Sequence, residues 1–176
     1  MPAPTQEETV AIVDDDNRVV GAAPRSRMRA EGLIHRATYI LVFNAEGHLF
    51  VQKRTASKDI YPGFYDVATG GVVLAGESYA DAARRELAEE LGIRGVRLTV
   101  HFDFYHTDGG NRVWGRVYSC VAEGDIVLQE EEVESGAFRP VQAIMADSRR
   151  QAFTPDGLYV LRRFLAQAAP SAGDGD

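Results

Sequence analysis

The chain has 176 residues, of which 45% are hydrophobic, and its formal net charge is -7. That length predicts one domain with a packed core, and the excess of acid argues against a nucleic-acid groove, which needs clustered Lys and Arg. The single cysteine, Cys120, excludes an internal disulfide and is typical of a reducing, cytoplasmic compartment. No leader segment is expected, and the longest apolar run, Ala37 to Phe43, is too short to span a membrane.

The first predicted element is a hairpin that follows a flexible start at residues 1–8. Two apolar runs, Val10 to Val13 and Val19 to Ala22, flank an acidic turn at 14–17, a pattern typical of paired strands. The turn lacks the glycine and the distal glutamate of a calcium loop, so we assign it no chemistry. A short basic helix from Pro24 to Glu31 is expected next, and we interpret its arginines as a solvated face rather than a phosphate contact.

Two strands and a glycine-rich loop are predicted before residue 72. The runs 35–44 and 49–54 are rich in β-branched and aromatic residues and are joined by a turn that contains Gly47, which predicts two core strands. A loop with Pro62 and Gly63 then leads to a short strand that ends at Thr69. Gly70 and Gly71 have no Cβ, so the backbone there can approach a metal or a phosphate closely.

The stretch from Gly71 to Ile93 is the most informative part of the sequence. Ser78 is a favourable N-cap, Asp81 is its capping-box partner and Gly92 is suited to end a helix, so we predict a helix from Tyr79 to Leu91. At about 100° per residue, one arc of this helix is apolar and is expected to be buried: Ala80, Ala83, Leu87 and Leu91. Three carboxylates share the flank beside that arc: Glu86, Glu89 and Glu90.

These three glutamates repel one another by a few tenths of a kcal/mol per pair, and the helix macrodipole also disfavours anions near a C-terminus. Carboxylate oxygens at this density suit a hard divalent cation such as Mg²⁺, which also takes substrate phosphates as ligands. A solvated acidic face is the alternative for an isolated E-x-x-E-E pattern. However, the whole segment fits G-x5-E-x7-R-E-(aliphatic)-x-E-E-x-G-(aliphatic), a match whose chance probability is on the order of 10⁻⁸ for a chain of this length, given average residue usage.

The segment resembles a complete Nudix box, the signature of hydrolases that act on a nucleoside diphosphate linked to another moiety. The resemblance implies an α/β/α sandwich around a mixed β-sheet, with residues 9–168 as a single domain. It also implies that Glu77 and Arg85 brace the loop through a salt bridge. The implied ligands of the metal, Mg²⁺ or alternatively Mn²⁺, are three side chains and one backbone carbonyl: Glu86, Glu89, Glu90 and Gly70.

Within this superfamily the chain is similar to the branch that contains isopentenyl-diphosphate isomerase, over roughly Ile12 to Phe164. The likeness is carried by short motifs: His35-Arg-Ala, Phe43-Asn, Arg54, Ser57-Lys58 and Tyr61-Pro-Gly. In the isomerases the positions matching Arg54 and Lys58 contact the diphosphate, and the position matching His35 is a metal ligand. The isomerisation chemistry is not implied, because Gly70 and Val72 stand where those enzymes have an acid-base cysteine and a second metal-binding histidine.

Two long strands, Val96 to His106 and Val113 to Val121, are predicted after the box around a polar turn at 107–111. We interpret His101 and His106 as strand residues. Five aromatic residues favour core positions, with stacking on a nucleobase by one of them as the alternative: Phe102, Phe104, Tyr105, Trp114 and Tyr118. The acids at positions 130, 131, 132 and 134 lie on a loop that many Nudix hydrolases use for a metal ligand or a general base, and Glu131 or Glu132 is favoured.

The last predicted elements are a strand with Phe138 facing inward, a short helix from Val141 to Arg149, and a helix that Thr154 and Pro155 open and that reaches about Ala166. A disordered tail is expected at 169–176.

The sequence thus predicts a Mg²⁺-dependent pyrophosphohydrolase acting on a nucleotide or another small diphosphate. The expected catalytic set is Glu77, Arg85, Glu86, Glu89 and Glu90, and Arg54 and Lys58 are expected to bind phosphate. Neither nucleic acid nor a membrane is expected as a partner. Two alternatives are an isopentenyl-diphosphate isomerase-like enzyme and a non-catalytic Nudix-fold sensor, and a homodimer is a further expectation because relatives are often dimers.

Overall fold

Groups of two or three strands are separated by helices along the chain in the computed structural model, which describes residues 6–168. The strands are β1 (Thr9–Val13), β2 (Val19–Pro24), β3 (Ile34–Phe43), β4 (Leu49–Arg54), β5 (Tyr65–Asp66), β6 (Thr99–Asp108), β7 (Asn111–Val121) and β8 (Val133–Arg139). The helices are α1 (Arg25–Glu31), α2 (Tyr79–Leu91), α3 (Val141–Asp147) and α4 (Pro155–Ala168). None of these described helices is long and apolar enough to cross a membrane. The tail predicted at 169–176 lies outside the described residues, as do the first five residues of the predicted flexible start.

The eight-stranded mixed sheet is built around β3. β3 runs parallel to β7 along its whole length, from the pair Ile34–Arg112 to the pair Phe43–Val121. On its other edge it pairs antiparallel with β1 and with the start of β4. Because successive residues of a strand point to opposite faces, Tyr39 and Leu41 enter one hydrophobic core while Ile40 and Val42 enter another.

Helices cover both faces of this sheet, which confirms the predicted α/β fold class. On one face α2 packs its buried residues Ala82, Ala83, Leu87 and Leu91 against the sheet. On the other face α3 and α4 contribute Ile144, Val160 and Leu161. The predicted apolar arc of α2 was wrong at one position, because Ala80 is only half-buried and Ala82 takes its place in the core.

The segment that leads into α2, residues 69–75, is held between β1 and β3 and is called the lead-in segment below. The amide of Thr38 donates to the Gly71 carbonyl (2.9 Å) and that of Ala11 donates to the Val73 carbonyl (3.1 Å). A small third core of Val10, Met28 and Val72 packs beneath it. The lead-in segment is therefore part of the sheet, and its position is fixed from both sides.

Several predicted boundaries differ from the observed ones. β6 starts at Thr99 instead of Val96, and β5 has only two residues, with Thr69 making an isolated bridge to Ile40. The turn between β6 and β7 is only Gly109-Gly110, because both glycines have positive φ and allow pairing to continue to Asp108 and Asn111. α3 ends at Asp147, and α4 extends to Ala168.

Candidate active site

A cavity of about 550 Å³ lies where the lead-in segment, α2, the loop 55–63 and the start of α4 meet. Six of the eight residues predicted for the site line it: Arg54, Lys58, Gly70, Glu86, Glu89 and Glu90. The other two, Glu77 and Arg85, are outside the lining and support the lead-in segment. The fold thus brings to one place residues that are up to 36 positions apart in the sequence, Arg54 and Glu90.

Glu77 and Arg85 form a two-pronged ion pair behind the lead-in segment. Arg85 Nε lies 2.8 Å from Glu77 Oε2, and Arg85 Nη2 lies 3.0 Å from Glu77 Oε1. The same two side chains also bind the backbone, since Arg85 donates to the Val72 carbonyl and Glu77 accepts from the Leu74 amide. This pair fixes the lead-in segment to α2 through parallel charge-assisted bonds.

The remaining nitrogen of Arg85, Nη1, contacts two of the three glutamates of α2. It lies 3.0 Å from Glu86 Oε1 and 3.3 Å from Glu89 Oε2. Burial raises the pKa of Glu86, the Arg85 guanidinium opposes that shift, and Glu89 adds to it. The Glu89 side chain is half exposed and lines the cavity.

Glu90 differs from its two neighbours because it is only 4% exposed. Its Oε2 atom has no hydrogen-bond partner among the described residues. Burial, and after it the charge of Glu86, raise the pKa of Glu90 well above its ordinary value. A buried, unpaired carboxylate is costly unless a cation compensates it, so the donor set of Glu86, Glu89 and Glu90 fits an oxygen-seeking divalent metal. Within residues 6–168, no three Asp, Glu, His or Cys side chains already surround a common metal position.

The glycines at the start of the lead-in segment are required by close packing. A Cβ at Gly70 would lie 2.2 Å from the Thr38 carbonyl oxygen, and Gly70 has a φ of 149°. A Cβ at Gly71 would lie 2.5 Å from Glu86 Oε1. The close approach predicted at these glycines therefore involves β3 and the Glu86 carboxylate.

Arg54 and Lys58 line the cavity and are engaged by protein groups. Arg54 donates through Nε (3.1 Å) and Nη2 (2.9 Å) to the Ile60 carbonyl, and its Nη1 lies 3.6 Å from Asp66 Oδ2. The ammonium of Lys58 contacts the Glu132 carboxylate. The Lys58 ammonium and the Arg54 guanidinium both lie close enough to stabilise the ionised form of Glu90.

The acidic loop contributes two of its four acids to the cavity. Glu131 and Glu132 line it, as expected, while Glu134 lies 3.6 Å from Lys53 on β4. The backbone carbonyl of Glu131 accepts a hydrogen bond from Thr55. The loop is thereby tied to the segment that carries Lys58.

Two arginines of α1 line the cavity, which the sequence analysis did not predict. Arg25 and Arg29 line the cavity and both contact Asp59, so the interpretation of a solvated face is wrong for them, whereas Arg27 is exposed and pairs with Glu31. Burial opposes the ionisation of Asp59, but the two guanidiniums outweigh it and lower the pKa of Asp59 to about 2. The spacing of four between Arg25 and Arg29, which places both on one side of a helix, was the available signal.

His35 also lines the cavity and is 2% exposed. Burial and the nearby Arg29 charge lower the pKa of His35 to about 4. His101 instead bonds Ser119 on β7, at 2.6 Å, as expected for a strand residue. The five candidate stacking aromatics are not among the described lining residues; Phe102, Phe104 and Tyr118 are buried in the core.

The protein-family model described as the NUDIX domain matches residues 33–164 of this sequence. The chain belongs to the Nudix hydrolase family. Enzymes of this family act on pyrophosphate bonds of small-molecule nucleotide derivatives and generally use divalent metal cations. β1, β2 and α1, and with them Arg25 and Arg29, precede the matched segment.

Relatives and solved structures agree with this assignment. The chain is 45% identical over 163 residues to an uncharacterized Nudix hydrolase of Pseudomonas aeruginosa, covering 93% of this chain and 96% of the relative. It is 45% identical over 162 residues to the uncharacterized Nudix hydrolase YfcD of Escherichia coli, covering 92% and 89%.

Among solved structures, the crystal structure of DR0079 from Deinococcus radiodurans is similar in fold, with a TM-score of 0.76, 24% identity and coverage of 89% and 98% of the two chains. The NUDIX domain of Shewanella oneidensis NrtR, complexed with ADP ribose, has a TM-score of 0.61 at 13% identity, with coverage of 77% and 88%. At these identities the two structures support the Nudix fold alone.

Proposed function

We propose that this Nudix hydrolase is a Mg²⁺-dependent pyrophosphohydrolase that cleaves a nucleoside diphosphate derivative at its pyrophosphate bond. The observation that carries the proposal is the buried Glu90 carboxylate, whose Oε2 has no hydrogen-bond partner among the described residues and which lies beside Glu86 in a cavity that Arg54 and Lys58 also line. Buried carboxylates beside cationic side chains that can bind phosphate are what a metal-bound diphosphate requires. The likeness to the isopentenyl-diphosphate isomerase branch remains a prediction.

In this mechanism Glu86, Glu89 and Glu90 would hold a cation, Mg²⁺ or alternatively Mn²⁺, together with the Gly70 carbonyl. When bound there, the cation would supply charge that screens the phosphates and lowers the pKa of a water molecule. Lys58 and Arg54 bind phosphate oxygens as charge-assisted donors. A carboxylate that is not engaged by the cation, Glu131 or Glu132 in this cavity, accepts the proton of the attacking water.

The contact between Lys58 and Glu132 gives these two residues linked roles. While the Lys58 ammonium contacts Glu132, it occupies a carboxylate oxygen that the proton of the attacking water would need. A phosphate oxygen that binds the Lys58 ammonium competes with Glu132 for it. We therefore expect substrate binding to free Glu132 for the transfer of the proton.

The direct test is hydrolysis of a substrate panel in ¹⁸O-labelled water with Mg²⁺. The panel contains nucleoside di- and triphosphates, dinucleotides, nucleotide sugars, coenzyme A and isopentenyl diphosphate. The proposal expects cleavage of a pyrophosphate bond in a nucleotide, with ¹⁸O in one phosphate product and no product when Mg²⁺ is chelated. Isomerisation of isopentenyl diphosphate, or tight nucleotide binding without turnover, would contradict it in favour of the isomerase-like or the sensor alternative.

A further inference from the structure

A second group of acids lines the same cavity and takes no part in the mechanism above. Asp66 at the end of β5 and Asp156 in the first turn of α4 both face the cavity, together with Tyr39 of β3 and Thr154. The Tyr39 hydroxyl donates to Asp156 Oδ2 at 2.8 Å, and the Ala68 amide donates to Asp66 Oδ1 at 3.0 Å. We call Tyr39, Asp66, Thr154 and Asp156 the acidic wall.

The acidic wall depends on close packing between α4 and β5. A Cβ at Gly157 would lie 2.5 Å from Thr154 Oγ1 and 2.7 Å from Asp66 Oδ1. The missing side chain at Gly157 therefore lets the first turn of α4 approach Asp66. The fold places two carboxylates close together in a partly dehydrated position, where mutual repulsion is unfavourable.

The acidic wall presents several hydrogen-bond acceptors to the cavity: the Asp66 and Asp156 carboxylates and the Thr154 hydroxyl. Burial and then the Asp156 charge raise the pKa of Asp66 to about 6, against the opposing charge of Arg54. Thr154 is 2% exposed and lies near enough to Asp66 to favour its ionised form. Its Oγ1 nevertheless makes no hydrogen bond of acceptable geometry within residues 6–168, and buried polar atoms of this kind normally have a partner.

Arg54 connects the acidic wall to the glutamates of α2. Its Nη1 is 3.6 Å from Asp66 Oδ2, and Arg54 lines the same cavity as Glu86 and Glu90. A diphosphate bound by Arg54 and Lys58 therefore has the glutamates on one side and the acidic wall within reach of the group attached to it. A hydrocarbon in that position would cover the half-buried Asp66 and Asp156 carboxylates without supplying a donor and would leave the buried Thr154 hydroxyl without a partner, which is unfavourable.

We propose that the acidic wall binds an amino group on the moiety attached to the diphosphate, in an amine or an amino-substituted heterocycle such as a nucleobase. Asp156 and Asp66 would accept its N–H bonds, and Thr154 would complete the set. This proposal deepens the proposed function and rests on it, because the diphosphate must occupy the Arg54 and Lys58 side of the cavity.

The test compares nucleotides that differ at the amino group, ATP with ITP and CTP with UTP. For the wild-type protein we expect kcat/KM to favour the amino-bearing member of at least one pair by about tenfold or more, because the analogue without the amino group supplies no N–H donors to the half-buried carboxylates of the wall. In Asp156→Asn we expect that preference to fall by about tenfold, with most of the change in KM. Asp125→Asn, an exposed loop acid outside the cavity, is the matched control and should keep the wild-type preference.

Equal kcat/KM values for both members of each pair in the wild-type protein would overturn the inference, whether or not Asp156→Asn folds. An Asp156→Asn protein that folds and retains the full preference would also overturn it. Equilibrium binding of α,β-methylene ATP and α,β-methylene ITP with Mg²⁺ separates this inference from the proposed function. A binding preference for the amino compound without hydrolysis of any nucleotide would support the acidic wall and contradict the hydrolase mechanism.

Discussion

At the residue scale, the adjacent glycines Gly70 and Gly71 are expected to respond differently to the same substitution. Gly70→Ala would press a Cβ onto the Thr38 carbonyl oxygen at 2.2 Å, which neither backbone can relieve easily. We expect a loss of about 2 kcal/mol or more in the free energy of unfolding. Gly71→Ala meets only the end of the flexible Glu86 side chain, so it should retain most stability and lose activity as Glu86 is displaced.

Urea unfolding and steady-state kinetics measure both glycine variants. Gly21→Ala is the control, because nothing lies within 4 Å of a Cβ built at Gly21. If Gly71→Ala were as unstable as Gly70→Ala, or as active as the wild type, the packing of Glu86 against the lead-in segment would be wrongly described.

Glu90 should show opposite effects on stability and on turnover. Glu90→Gln keeps the shape of the side chain but removes a buried ionisable group whose Oε2 has no hydrogen-bond partner among the described residues. In the absence of metal, we expect the free energy of unfolding of Glu90→Gln to equal that of the wild type or to exceed it by up to about 1 kcal/mol. Its turnover should fall by several orders of magnitude, because a metal ligand is lost. Glu89→Gln should lose turnover in the same way.

Thermal unfolding and single-turnover kinetics check these glutamate variants. Glu46→Gln is the control, since Glu46 is exposed in the turn between β3 and β4. Near-normal rates in both Glu89→Gln and Glu90→Gln would refute the metal assignment.

The raised pKa of Asp66 should make the free energy of unfolding depend on pH. The folded protein favours protonated Asp66, with a pKa of about 6 against an ordinary value of 3.8. Its stabilising contribution is therefore complete below about pH 4 and is lost as pH rises through 6. The charges near Asp66 are Asp156 from α4 and Arg54 from β4, and the neutral Tyr39 hydroxyl from β3 donates to Asp156.

Asp66→Asn cannot ionise, so its stability relative to the wild type should rise between pH 4 and pH 6, by at most about 3 kcal/mol. Urea unfolding at half-unit steps of pH measures the difference between the two proteins. Parallel stability curves would show that Asp66 has an ordinary pKa in the folded protein.

The sequence predicted the residues of the box because they are crowded into one segment with fixed spacing. It did not predict the acidic wall, because Asp66 and Asp156 are 90 positions apart and meet only when α4 packs on β5. Neither aspartate belongs to a recognisable pattern of its own. Such a pair becomes visible only through the tertiary fold.

At the scale of elements, α2 was predicted with correct bounds because its ends have defined chemistry. Ser78 Oγ accepts from the Asp81 amide at 3.1 Å, and Gly92 adopts the left-handed conformation that ends the helix. The strand β6 was predicted less well. Val96 and Leu98 are apolar and pack partly buried against the core without pairing, so hydrophobicity indicated burial there but not strand geometry.

The cap of α2 gives a test at this scale. Ser78→Ala should lower the free energy of unfolding by about 1 kcal/mol, because the Asp81 amide loses its acceptor. Ser78→Asp should restore most of that stability, since aspartate caps as well as serine. Chemical denaturation of the three proteins measures the effect, and equal losses in Ser78→Ala and Ser78→Asp would contradict the capping role.

At the scale of the whole molecule, the site depends on a part of the chain that lies outside the segment matched by the family model. β1 bonds the lead-in segment, and Met28 of α1 is 1% exposed in a core shared with Val10 and Val72. Met28→Ala should cost about 2–4 kcal/mol through the cavity it leaves. Because Val72 belongs to the same core, we also expect lower activity below the unfolding temperature.

Val20→Ala is the control for Met28→Ala, because Val20 is 63% exposed on β2. Differential scanning calorimetry and kinetics at two temperatures separate loss of fold from displacement of the site. A Met28→Ala protein with wild-type stability would contradict the role of this core.

Because the lead-in segment lies between β1 and β3, the helix that carries the signature glutamates is attached to an N-terminal unit outside the segment matched by the family model. An engineer who trimmed this enzyme to its recognised borders would keep every letter of the signature and discard one of the two neighbours that hold it in place. Homologues that share the motif but begin with a different leading hairpin would present the same acids at a different tilt. Substrate choice could therefore diverge between enzymes whose signatures are identical.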